Sequence, residues 1–148
     1  GGNAADAALA LAPGDAEANA IKADIAMRRL RSTRSTPAEW ASVRHRLTRA
    51  IEAGPDDAFA RLLLFRSYLL SGNVLPPDGQ KAIRQAFEIA PESGEIRIAF
   101  AIYQAMAGRF DAARRTIAVL AADPDGPEVG RRALARINAM EARAAFPS

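Results

Sequence analysis

The sequence contains no cysteine, one histidine, two lysines and few aromatic residues. Each shortage removes a class of function. Without cysteine there is no disulfide framework and no thiolate zinc site. The single imidazole, His45, stands between Arg44 and Arg46, too little for a histidine-built metal centre, and His45 reads as a plain surface or packing residue. Lys22 and Lys81 are the only lysines, and arginine carries the rest of the positive charge. Twenty basic against 17 acidic residues leave a net charge of +3, too little for the footprint of a nucleic-acid binder. No apolar run approaches the ~18 residues of a membrane span. There is no Gly-rich phosphate loop and no calcium loop. No stretch alternates with the period of a strand. No nucleophile, base and orienting group can be assembled, so the reading is non-enzymatic, with no cofactor and no metal implied.

What is abundant is alanine, the best helix former and a residue that lets helices approach closely. A punctuation signal also recurs: a small or apolar helix tail, then proline, then a small or acidic residue that opens the next helix. It falls at Pro13, Pro55, Pro91 and Pro124, at intervals of about 33–42 residues, the mark of a helical repeat. The residue before proline disfavours helix, and Asp15, Asp57 and Ser93 are placed to cap the helices that begin after them. The predicted helices span about Ala16–Arg31, Pro37–Ala53, Ala58–Ser71, Pro77–Ala90, Gly94–Ala107, Phe110–Leu120 and a last one from Gly126-Pro127 to Ala144, after a helix tail over Asn3–Ala12. Thr36-Pro37-Ala38-Glu39 is a capping box with proline at the first helical position. Ile21, Ile25 and Leu30 are expected on one face of the first full helix. Trp40, Val43, Leu47 and Ile51 are expected on the next. The helix Ala58–Ser71 is apolar nearly all round and should be central. Val129, Leu134, Ile137 and Met140 should face the core from the last helix.

Gly94–Pro124 resembles a tetratricopeptide repeat. It has a large residue followed by a small one in the first helix, Phe100-Ala101. It has a Gly-x-aromatic turn, Gly108-Arg109-Phe110, a small residue where the helices touch, Ala113, and an exit proline, Pro124. Ala58–Pro91 is similar through Gly72 and Pro91, and Ala16–Pro55 through Trp40 and Pro55. The resemblance implies an all-α fold of antiparallel helix pairs stacked as a short right-handed α-solenoid, with about three degenerate repeats and terminal helices. Residues 3–148 would form a single domain. Gly1-Gly2 reads as a cloning remnant, and the chain as a piece excised from a longer protein.

In that family the first helices of successive repeats line a concave groove. Carried over, the groove would show Phe59, Leu62 and Arg66, then Ile98 and Ile102, then Arg131. The apolar members would bury a partner's side chains and the arginines would hold a carboxylate. The implied function is a protein–protein interaction module taking a peptide or a partner domain. An alternative is a C-terminal accessory part of a larger bacterial enzyme or envelope protein. Arg28, Arg29, Arg44 and Arg46 would form a basic patch if the first two full helices pair. It lacks interleaved aromatics for base stacking, so a protein partner is favoured over nucleic acid. Homo-oligomerisation stays open, as does compartment, between the cytoplasm and a bacterial cell envelope.

Overall fold

The structure, a computed structural model, describes residues 16–31, 35–72, 74–122, 126 and 128–146, with the side chains of 16–19 and 31 outside the description. The described residues are all-helical, with seven helices and no strand: α1 (Ala16–Arg31), α2 (Pro37–Ala53), α3 (Ala58–Leu70), α4 (Pro77–Ile89), α5 (Gly94–Met106), α6 (Phe110–Ala121) and α7 (Glu128–Ala145). The expected tail over Asn3–Ala12, the cap at Asp15 and the exit at Pro124 lie outside the described residues.

Local chemistry explains the boundaries. Before α2 the Thr36 hydroxyl accepts from the Glu39 N–H at 3.2 Å. The Glu39 carboxylate accepts from the Thr36 N–H at 2.9 Å, which closes the capping box. Asp57 accepts from the Ala60 N–H at 3.0 Å, and Ser93 from the Ile96 N–H at 3.4 Å. After α5, Gly108 takes φ +80°, and the Arg109 N–H reaches back to the Gln104 carbonyl at 2.9 Å. This is a Schellman-type stop, which places glycine at the left-handed position.

Contacts divide the chain into two compact units, one ending at Ile89 and the other beginning at Ala90. In the first, α1 packs on α2 and also on α3, while α3 packs on α2 and α4. Its core joins Met27 and Leu30 of α1, Trp40, Val43 and Leu47 of α2, Leu63 and Leu64 of α3, and Ala82 of α4. A second cluster joins Ala20, Ala50 and Ala60. As expected, α3 is central: eight of its 13 residues are buried. In the second unit, α5 packs on α6 and α7, and α6 on α7. Ala101, Ile102 and Ala105 meet Ala113 and Ile117, and Ala133 and Ile137 complete the cluster.

Two expected stripes are corrected. On α1 the buried line is Ala20, Ala23, Met27 and Leu30, whereas Ile21 is 40% exposed and Ile25 half-buried. On α7 Ile137 is buried and Leu134 and Met140 pack against the core as expected; the correction is at Val129, which is exposed, while Gly130 and Ala133 are buried. The cause is the same in both. A small residue admits the neighbouring backbone, so the helix turns that residue inward. A Cβ built at Gly130 would lie 2.8 Å from the backbone carbon and oxygen of Leu120, so α7 meets α6 where it has no side chain.

Candidate functional site

The first unit carries three of the residues assigned to a concave groove. Phe59, in the first turn of α3, is exposed. Leu62 is not: it is 1% exposed and belongs to the core. A helix with apolar residues on every side buries most of them, and Leu62 is among those. Arg66 is half-buried and already engaged. In the second unit Ile98 is partly buried against the core, and Ile102 is a core residue in contact with the alanine and isoleucine cluster. Leu62 and Ile102 are therefore corrected from contact surface to interior. Arg131 is exposed on α7, with its Nη1 3.5 Å from the Gly126 carbonyl.

The basic patch is corrected at Arg44. Arg28 and Arg29 are exposed, and Arg28 donates to Asp24 one turn earlier at 3.1 Å. Arg46 is half-buried on α2. Arg44 instead turns toward α3. Its Nε donates to the Ser67 hydroxyl at 3.1 Å, and its Nη2 to the Ser67 carbonyl at 3.2 Å and the Ser71 hydroxyl at 2.6 Å. The guanidinium lies 4.2 Å from the Tyr68 ring centroid and 6.0 Å from that of Trp40. Burial pushes its pKa down, and the Tyr68 phenol pulls it partly back. Arg44 thus fastens α2 to α3 and is spent on the fold. His45 beside it is exposed, the surface alternative of the two that its position left.

Asp57 caps α3, as its position implies, and no group of acidic and histidine side chains suited to a metal occurs among the described residues. No helix of the described chain is long and apolar enough to cross a membrane.

Three arginines have roles that their sequence positions scarcely mark. Arg97 donates from Nε and Nη2 to the Pro91 carbonyl at 3.2 and 2.9 Å, and from Nη1 to the Thr116 carbonyl at 3.1 Å, tying α5 to α6. Arg114 joins Asp111 at 2.6 Å, Glu141 at 3.1 Å and Asn138 at 3.2 Å, tying α6 to α7. The hydrogen bonds to Glu141 and then to Asp111 push its pKa further up. Arg61 is only 8% exposed. The one signal for Arg61 was its place inside the apolar run from Phe59 to Phe65, where a charge must find partners.

No protein-family model matches this chain, and no curated protein matches its sequence.

Proposed function

We propose that this chain is a non-enzymatic interaction module, a tetratricopeptide-like right-handed α-solenoid that docks a peptide or partner domain on the face of its first helices. The observation that carries the reading is the packing order. In each unit the first helix of a pair contacts both its own partner and the first helix of the next pair, α1 with α3 and α5 with α7. Stacked helix pairs bury their faces in this way. The fasteners and small residues at the crossings support it. In the first unit Ile21 of α1 and Phe59 of α3 stand at 40% and 38% exposure next to the buried Ala20, Ala50 and Ala60. They are the apolar side chains offered to a partner. Arg66, two turns along α3 from Phe59, supplies positive charge on that side.

The test uses Ile21→Asp and Phe59→Asp together, with capture from source-cell lysate read by mass spectrometry. Covering the two side chains would contribute about 1–2 kcal/mol each, roughly tenfold in affinity apiece. The double variant should keep the helical circular dichroism of the wild type and lose a specifically captured protein. Leu62→Asp should instead unfold its unit. Identical captured sets from wild type and double variant would sink the docking assignment.

A further inference from the structure

One cavity of the first unit has no part in the docking face. It lies between α2 and α4, over α3, with a volume of about 270 Å³. Its floor is Arg61, Leu64 and Tyr68 of α3, and its walls include Thr48, Ile51 and Glu52 of α2 and Asp78, Lys81, Ala82 and Gln85 of α4. Arg61 marks one end and Tyr68 the other, seven residues apart, or about 10 Å along the helix. Both ends are fixed. Gln85 accepts from Arg61 Nε at 3.2 Å, and the Asp57 carbonyl accepts from Nη1 at 3.1 Å. Tyr68 is sandwiched: Arg44 stacks on its ring, and a Cβ at Gly79 of α4 would lie 2.7 Å from its Cδ2.

Arg61 is the informative residue. Its side chain is more than nine-tenths buried, yet Nη2 has no acceptor among the described residues. No buried side-chain nitrogen or oxygen there lacks a partner, so Nη2 is not sealed in protein, and Arg61 lines this cavity. A guanidinium held by two of its nitrogens, with the third presented to a concave, half-apolar space, is preorganised for a carboxylate. Lys81 adds a second cation at the rim, while Ile51, Leu64 and Ala82 form the apolar part. Glu52 and Asp78 also line the space, and they oppose a second negative charge on the ligand.

We propose that this cavity binds a small organic monocarboxylate with an apolar body, its carboxylate on Arg61 Nη2 and Lys81 and its hydrocarbon over Leu64 toward Tyr68. The volume lies just under that of drug-sized pockets, which matches a ligand of this size. The site is independent of the docking face, and the loss of either leaves the other standing.

The experiment titrates the full chain with hexanoate and follows by NMR the backbone amide signals of Leu64 and Ala82, which line the cavity and are kept in every variant. Acetate, hexylamine and adipate serve as probes lacking the apolar body, reversing the charge and adding a second carboxylate. Hexanoate should give a saturable shift and bind at least about tenfold tighter than each of the other three. Arg61→Gln should weaken it about tenfold or more. Lys81→Ala, at an exposed position that the fold does not need, should weaken it about threefold. No saturation by hexanoate up to ~50 mM, or hexylamine or adipate binding as tightly, overturns the assignment. So does unchanged hexanoate affinity in Lys81→Ala together with Arg61→Gln.

Discussion

Removing the Arg44 side chain tests the claim that this arginine is part of the fold and not of a surface patch. Arg44→Ala deletes three hydrogen bonds to Ser67 and Ser71 and the stacking on Tyr68. Hydrogen bonds from a charged group are worth about 1.5–3 kcal/mol, and the cation–π contact about 1 kcal/mol at a half-covered site. The desolvation that lowers the Arg44 pKa works against these gains. No buried group is orphaned by the change. The Ser67 hydroxyl still donates to the Leu64 carbonyl at 2.6 Å, and the Ser67 carbonyl still accepts from the Ser71 N–H at 3.1 Å. The net loss should therefore be about 2–3 kcal/mol. Trp40 is the only tryptophan and sits in the core of the same unit, so its fluorescence reports that unit alone. In urea, with a slope of about 1–3 kcal/mol/M, the midpoint should fall by roughly 1–2 M. Arg49→Ala, at an exposed position of the same helix, should move it by less than about 0.5 kcal/mol. A cycle with Ser71→Ala should show about 1 kcal/mol of coupling. If Arg44→Ala and Arg49→Ala shift the midpoint equally, Arg44 is a surface residue and the fastening is refuted.

The packing and the caps lead to three further outcomes. Gly130→Ala drives a methyl group into the Leu120 backbone, which has no rotamer to yield. Overpacking of about 1–3 kcal/mol should exceed the ~1 kcal/mol of helix propensity that alanine returns, and circular dichroism melting should show a lowered midpoint. Thr36→Ala breaks the capping box and should cost the first unit about 1 kcal/mol, read by Trp40 fluorescence; an unchanged midpoint would mean that the cap contributes nothing. The hydrogen bond from Arg114, then its charge, holds the Asp111 carboxyl below its ordinary 3.8. A depressed carboxylate contributes stability above its unfolded pKa and loses it as pH falls through the folded one. In an NMR titration the Asp111 midpoint should therefore rise toward the ordinary value in Arg114→Gln, and an unmoved midpoint would refute the pairing.

The sequence by itself determined the helices. Prolines, the caps at Thr36, Asp57 and Ser93, and the glycines at 72 and 108 act on their immediate neighbours, so the helices begin where those signals stand and end within a residue or two of the expected places. The central position of α3 was legible for a related reason: a run that is apolar on all sides has no face to give to water. Tertiary structure alone decided which face of each remaining helix turns inward. Large apolar residues mark a stripe on a helical wheel, but contact between helices is set by how closely their backbones approach, and alanine and glycine permit the closest approach. That is why Ile21 and Val129 are exposed while Ala20 and Gly130 are buried. It is also why Ile102, counted as groove, lies in a core built largely of alanine. The same limit governs the arginines. In the sequence Arg28, Arg44, Arg61 and Arg114 are equal charges. Arg28 finds its partner, Asp24, one turn away on its own helix, whereas only the packing of other helices makes Arg44 and Arg114 fasteners and Arg61 a buried guanidinium that lines a cavity.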